Sequence, residues 1–162
     1  MARLLLFLVL GGYLMAWETG TVSRVVDGDT IDITYKGKTF RARLVAIETP
    51  ESYAGEKSKR QAKQCKVTER EIIHLGKLSK IYTQHKLPIG SNILFLKVGK
   101  DVWSRPLIWV KNFNFQIVSD GYAQVYANAE IDYKTKRVLY AIEKRAKRRK
   151  KGIWKNIIKD CF

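Results

Sequence analysis

The chain has 162 residues, which suits one domain with a hydrophobic core of its own. Apolar residues make up 46% of the composition, which excludes wholesale disorder. The formal net charge of +16 indicates an anionic partner, with nucleic acid first and an anionic membrane surface second. Charge does not separate an enzyme from a passive binder, so the chemistry must be sought in particular residues.

Residues 1–16 are interpreted as a signal peptide or a short membrane anchor. Arg3 precedes the apolar run 4–10, and small residues follow up to Ala16, the order found in secretory signal peptides. The run is shorter than the roughly 20 residues of a membrane-spanning helix. A cleaved leader is the first interpretation, an uncleaved anchor the second and a buried strand the third. We therefore expect an exported protein, periplasmic or secreted, or one held at the membrane by its leader.

The next part of the chain predicts a three-stranded meander. Residues 21–26, 30–35 and 39–47 are rich in β-formers with partial alternation, and a turn at 36–38 joins the last two. Such a meander is stable only when it closes or is covered by other elements. Further strands are expected.

Residues 55–84 change to a helical pattern, and Gly76 suggests a division into two helices. Four more elements follow: strands at 92–98 and 102–110, a short helix at 116–121 and a basic helix at 134–151. Pro106 should place part of the last strand at an edge or a bulge.

Five strands with helices inserted after the third predict an α+β fold, namely a five-stranded OB-fold-type β-barrel with about three helices packed against it. The domain is expected over residues 20–156, followed by a tail at 157–162.

Two turns carry acidic side chains beside the strands. The acidic residues are Asp27, Asp29, Glu48 and Glu51. Gly28 is expected to supply unusual backbone geometry in the first turn, and Pro50 keeps the second turn out of a helix. Arg43 lies on the strand that leads to this corner. Each residue alone could be an ordinary turn residue, but together they provide what metal-assisted phosphate-ester chemistry requires.

Four motifs in order carry a resemblance to a known family. They are Asp-Gly-Asp-Thr at 27–30, Arg-Leu-Val at 43–45 with Thr-Pro-Glu at 49–51, Asp-Val-Trp-Ser-Arg-Pro-Leu at 101–107, and Gly-Tyr-Ala at 121–123 with Gly-Ile-Trp at 152–154. In this order they resemble the staphylococcal nuclease (thermonuclease) family. The resemblance covers roughly residues 20–154 and also implies the OB-type barrel.

The resemblance implies a metal site. Asp29, Glu48 and the carbonyl of Thr49 match the family's ligands, and the implied metal is calcium, which suits oxygen-only ligands. Composition alone does not choose calcium over magnesium or manganese. The family usually has Asp where Glu48 stands, and the extra methylene moves the carboxylate outward by about one bond length, ~1.5 Å.

The resemblance also implies catalytic residues. Glu51 matches the glutamate that positions or deprotonates the attacking water, and Arg43 and Arg105 match the phosphate clamps. Trp103 and Tyr126 are weaker candidates for stacking on bases. Asp27 is expected to support the turn rather than bind the metal, and Trp103-Ser104 replaces the family's Tyr-Gly.

The expected activity is calcium-dependent hydrolysis of DNA and RNA with little sequence specificity, leaving 3′-phosphate ends. The alternative is a catalytically inactive nucleic-acid-binding module on the same fold. A monomer without a protein partner is expected, and the basic run 144–151 could also make a weak contact with an anionic membrane.

The chain contains two cysteines, Cys65 and Cys161. In an exported protein they predict one disulfide, which would tie the C-terminal tail to the first long helix. Two free thiols are the alternative.

Overall fold

The computed structural model of the chain describes residues 16–155. Most of the predicted leader, the predicted tail and Cys161 therefore lie outside the described residues. The strands are β1 (Glu18–Asp27), β2 (Thr30–Tyr35), β3 (Lys38–Leu44), β4 (Ile47–Glu48), β5 (Asn92–Lys100), β6 (Pro106–Val110) and β7 (Gln124–Val125). The α-helices are α1 (Glu56–Cys65), α2 (Glu69–Lys86), α3 (Phe113–Ser119) and α4 (Tyr133–Arg148), followed by a 3-10 turn at Gly152–Lys155.

Five strands close into a barrel in the order β1-β2-β3-β6-β5. Neighbouring strands are antiparallel except β3 and β6, which pair in parallel. Alternate residues point inward, so that Val22 pairs with Ile33 and Val25 with Ile31, and all four are buried. The predicted α+β barrel is confirmed, with four α-helices in the described part of the chain.

The predicted third strand is wrong as a continuous element. The chain leaves the barrel after Leu44 and turns at Ala46, whose φ of 65° is left-handed, and Ile47–Glu48 then pairs with Gln124–Val125 in a second small sheet. Residues 44–47 are all buried, so their apolar pattern could not reveal the turn. This turn brings Glu48 back towards the end of β3.

The helical segment divides before Gly76. Lys66 ends α1 in a left-handed conformation, and Thr68 caps α2 in a reciprocal capping box with Glu71. Gly76 lies inside α2, where a Cβ would overlap the carbonyl group of Glu51 and lie 2.6 Å from the backbone nitrogen of Ser52. The glycine therefore permits a close approach and does not end a helix.

Two later boundaries also differ from the prediction. Strand β6 begins at Pro106 because residues 101–105 form a loop, a position that suits a residue without an N–H group. Helix α3 begins at Phe113, three residues early, and buries Phe113, Ile117 and Val118 against the barrel. The final helix begins one residue before its predicted start and ends at Arg148, three residues before the predicted end at 151.

Two findings concern the setting of the domain. Cys65, at the end of α1, is disulfide-bonded, whereas Cys161, its predicted partner, lies outside the described residues. Among the helices of residues 16–155, none has both the length and the apolar character needed to cross a membrane.

Candidate active site

Helix α2 holds the turn between β1 and β2. The Thr83 hydroxyl donates to the Gly28 carbonyl oxygen at 2.7 Å, and a Cβ at Gly28 would lie 2.8 Å from side-chain carbons of both Thr49 and Ser79. Gly28 does not have a positive φ, so it is required for space and not for unusual backbone geometry. The close packing places Asp29 beside Thr49, whose backbone N–H donates to Asp29 Oδ2 at 3.1 Å.

Arg43 lies between two predicted metal ligands. Its Nη1 is 3.3 Å from Asp29 Oδ2, and its Nη2 pairs with Glu48 Oε2. Only 13% of the Arg43 side chain is exposed. Burial opposes the guanidinium charge, but the carboxylates of Asp29 and Glu48 outweigh it and raise the pKa of Arg43.

Lys57 joins Glu48 to Glu51. Its Nζ is 2.7 Å from Glu48 Oε1 and 2.6 Å from Glu51 Oε1. Burial raises the pKa of Glu48, and the nearby carboxylate of Asp29 acts in the same direction, whereas the charges of Arg43 and Lys57 oppose the shift. The three carboxylates thus compete for two cationic side chains.

Asp27 adds to this excess of acid. Its carboxylate accepts from the Gly28 N–H at 3.0 Å. Burial raises the pKa of Asp27 to about 7, and the charges of Asp29 and Glu51 act in the same direction. The contact with Gly28 agrees with the predicted role in the turn.

Gln61, on α1, fixes the segment that carries the acids. Its Oε1 accepts from the Glu51 N–H at 2.9 Å, and its Nε2 donates to the Thr49 carbonyl oxygen at 3.3 Å. The predicted carbonyl ligand therefore already has a hydrogen-bond partner. Thr49 is almost fully buried, with 1% of its surface exposed.

A cavity of about 880 Å³ brings most of the predicted residues together. Its lining includes Asp29, Arg43, Glu48, Glu51, Trp103, Arg105 and Tyr126. Of the predicted site residues, Thr49 lies outside this lining. The cavity is polar at the acid cluster and bordered by exposed aromatic rings.

The 101–105 loop presents Arg105 to the cavity. Asp101 accepts from the backbone N–H groups of Trp103 and Arg105, both at 2.9 Å, and from Arg105 Nε at 2.6 Å. Ser104 has φ 62°, so it keeps the left-handed conformation although it replaces a glycine of the family pattern. Trp103 is 75% exposed, and the guanidinium of Arg105 lies 5.5 Å from its ring centroid.

Tyr126 lines the cavity beside the guanidinium of Arg43. Its ring centroid is 6.0 Å from the Arg43 guanidinium carbon, and its backbone N–H donates to the Ala46 carbonyl at 2.9 Å. The residue is 41% exposed. The ring is accessible from the cavity, and stacking on a base stays a prediction.

The donors fit a hard divalent cation. Asp29, Glu48 and Thr49 supply oxygen alone, the ligand type that hard divalent cations prefer. Within residues 16–155, no group of three or more His, Cys, Asp or Glu side chains is arranged to hold a metal by itself. Any site here would thus depend on the two carboxylates and the carbonyl oxygen.

A closed β-barrel with carboxylates and arginines lining one cavity defines an OB-type domain with a candidate site for phosphate esters. Residues 41–156 match the sequence model described as staphylococcal nuclease homologue. The chain belongs to the staphylococcal nuclease family. The recognition made from the four motifs is confirmed, and the family supports a nuclease.

Three relatives show the extent of the similarity. Micrococcal nuclease of Shigella flexneri is 30% identical, over 86% of this chain and 76% of its own. Thermonuclease of Staphylococcus hyicus is 26% identical, over 86% of this chain and 77% of its own. Endonuclease YhcR of Bacillus subtilis is 33% identical, but the match spans only 11% of that protein.

Sequence reasoning missed Lys57, Gln61 and Tyr53, which all contribute to this site. Lys57 and Gln61 contact the acidic segment from α1, and Tyr53 lines the cavity. The one signal in the sequence was the predicted helix that starts a few residues after Glu51. The side chains of its first turn, including Lys57, lie close to Glu51. Nothing distinguished Lys57 among 31 lysines and arginines.

Proposed function

We propose that the protein is an exported, calcium-dependent endonuclease that hydrolyses DNA and RNA with little sequence specificity and leaves 3′-phosphate ends. The observation that carries the proposal is one cavity lined by Asp29, Arg43, Glu48, Glu51 and Arg105. The two guanidiniums suit neutralisation of the negative charge of a phosphodiester, and the carboxylates suit activation of a water molecule. Family membership supports the nuclease class.

The charged residues predicted for the site each have a role in the proposal. Arg43 and Arg105 donate hydrogen bonds to the non-bridging phosphate oxygens, whose charge grows in the transition state. Glu51, 24% exposed, orients a water molecule and accepts its proton. Asp29, Glu48 and the Thr49 carbonyl would hold calcium, which when bound supplies Lewis-acid stabilisation of the phosphate.

The alternative is a nucleic-acid-binding module without activity. The contacts of Arg43 with Asp29 and Glu48 favour this alternative, because they occupy guanidinium N–H groups. Arg43 would have to redirect some of these N–H groups to bind a phosphate. The basic surface would then bind nucleic acid without cleaving it.

Digestion of plasmid DNA and RNA with calcium, with magnesium and with a chelator tests the proposal. We expect cleavage in calcium, none in the chelator, and products whose 3′ ends a polymerase extends only after phosphatase treatment. Binding without cleavage in calcium would support the inactive module. Export is tested separately, by fractionating cells that express the full chain and determining the N-terminus of the mature protein.

A further inference from the structure

Lys57 contacts two carboxylates that have different tasks in the proposed mechanism. It lies in the first turn of α1, with 37% of its side chain exposed. Its ammonium group is within 2.7 Å of both Glu48, a proposed metal ligand, and Glu51, the proposed base. One cation therefore sets the positions of both groups.

The length of Glu48 makes the shared contact possible. Its Oε2 pairs with Arg43 while its Oε1 pairs with Lys57, so the two oxygens serve opposite neighbours. An aspartate at this position would be shorter by about 1.5 Å and would draw its oxygens away from Lys57. The contact of Lys57 with residue 48 therefore depends on a glutamate standing where the family usually has an aspartate.

We propose that Lys57 is an internal counter-cation of the acid cluster, which positions Glu51 and opposes a divalent cation at Glu48. The inference rests on the proposed function. A positive charge in hydrogen-bond contact with a metal ligand repels an incoming cation. The same charge relieves repulsion among the carboxylates when no metal is bound.

Lys57→Met tests the inference by calcium titration calorimetry without nucleic acid, by thermal unfolding and by kinetics. We expect calcium to bind roughly tenfold more tightly, the scale on which neighbours of metal ligands alter affinity. The calcium-free Tm should fall and its rise on adding calcium should grow. The kcat should fall with little change in KM, because Glu51 loses its partner.

Two variants serve as controls. Lys59→Met removes an exposed lysine of the same helix, whose ammonium lies 3.2 Å from Glu56, and should leave all four quantities unchanged. Lys57→Arg retains the charge and should restore weak calcium binding.

Other outcomes overturn the inference. Equal losses of Tm with and without calcium, at unchanged calcium affinity, would make Lys57 merely structural. A raised KM at unchanged calcium affinity would make it a phosphate contact. A wild-type protein without calcium-dependent cleavage would remove the proposed function as well, whereas an active wild type with an indistinguishable Lys57→Met variant would remove this inference alone.

A separate observation concerns Tyr53, which lines the same cavity two residues after Glu51. The side chain is 56% exposed. Lys80 of α2 lies with its Nζ 4.8 Å from the ring centroid and contacts the hydroxyl, which holds the ring in place. We infer that Tyr53 is a subsite for an unpaired base, with Lys80 available to an adjoining phosphate.

Binding to a single-stranded oligonucleotide and to an abasic strand of equal length, both in chelator, tests this subsite. Tyr53→Ala should weaken binding of the first by about fivefold or more and leave the second unchanged, because stacking requires a base. Tyr53→Trp should retain affinity.

Tyr133→Ala is the matched control. Tyr133 is 72% exposed and lies under Arg137 at 5.6 Å, but it is on α4 and outside the cavity lining. Equal losses on both strands in Tyr53→Ala, or no loss, would overturn the subsite. Because binding is measured without metal, a protein that binds but does not cleave would leave the subsite standing.

Discussion

Individual side chains in this site are held by more than one neighbour. Glu51 pairs with Lys57, and its backbone N–H donates to Gln61. Arg43 forms ion pairs with two carboxylates, those of Asp29 and Glu48. Removing Arg43 would take the neighbouring positive charge from buried Asp29 and leave Glu48 with Lys57 alone, which is destabilising. Arg43→Ala should lower turnover but also stability, so Glu51 offers the cleaner test of chemistry.

Glu51→Gln should lower kcat by about 10²–10⁴-fold, the usual contribution of general base catalysis, with little change in KM. The amide keeps the shape of the side chain and cannot accept the proton. Steady-state kinetics on a single-stranded oligonucleotide measure the effect, and Glu56→Gln, whose glutamate is 91% exposed, is the control. Full turnover in Glu51→Gln would remove Glu51 from the mechanism.

At the scale of elements, the approach of α2 to the Glu48–Glu51 segment builds the site. Gly76 lies against the Glu51 carbonyl, and Thr83 holds Gly28. One helix thus supports both acidic turns. The barrel contributes the third support, because the pairing of Thr30 with Arg43 sets the guanidinium beside Asp29.

Gly76→Ala should destabilise the protein by about 1–3 kcal/mol, the usual effect of overpacking. In an open helix the same change would stabilise by roughly 0.5–1 kcal/mol, so the sign is diagnostic. Turnover should fall too, because Glu51 is displaced. Urea unfolding and kinetics measure both effects.

Gly55→Ala is the control, since a Cβ there meets nothing within 4 Å. A stabilised Gly76→Ala variant would contradict the close approach of α2 to Glu51.

Asp32 forms ion pairs with arginines on both neighbouring strands of the barrel. Its carboxylate is 3.0 Å from Arg24 Nε on β1 and 2.9 Å from Arg41 Nε on β3. The hydrogen bond from Arg41, together with both positive charges, lowers the pKa of Asp32. A lowered carboxylate pKa stabilises the fold above the unfolded-state value, near 4, and the contribution is lost as pH falls through the folded-state value.

Asp32→Asn should therefore destabilise the protein by roughly 1 kcal/mol at pH 7, since both arginines are exposed to solvent. The difference from wild type should shrink as the pH falls below about 4. Urea unfolding over this range measures it. An equal difference at every pH would assign the effect to packing rather than charge.

For the whole molecule, the net charge of +16 acts beyond the cavity. Lys144 and Arg148 are exposed on the last two turns of α4, in the basic run 144–151. Positive charge along a helix attracts phosphates without regard to sequence. The expected consequence is an affinity that depends steeply on salt.

Replacing Lys144 and Arg148 together by Gln should weaken single-strand binding and reduce the slope of log K against log salt by about 0.7 for each phosphate that the variant no longer neutralises. The kcat should stay unchanged, because both residues are outside the cavity lining. Replacing the exposed Lys38 and Lys111 by Gln removes the same net charge. An equal effect in that control would assign the binding to overall charge rather than to α4.

The sequence by itself determined the five-stranded barrel and the acidic and arginine candidates around the cavity. Alternating apolar residues report which face of a strand is buried, and short motifs mark Asp29, Arg43 and Glu51, so these features are local in the chain. The boundary at Ala46 was less accurate because a buried turn and a strand share the same apolar composition, and the boundary at Pro106 because exposed Val102 and Trp103 of the loop resemble strand residues.

Only the tertiary structure decided the roles of Gly76, Gln61, Lys57 and Tyr53. Each depends on contact between elements: Gly76 on α2 against Glu51, Gln61 and Lys57 on α1 against the acidic segment, and Tyr53 under Lys80. Such contacts arise when helices pack on the barrel and bring distant residues within hydrogen-bond distance. In a chain with this many lysines, no local pattern identifies Lys57 as the one whose ammonium contacts both Glu48 and Glu51.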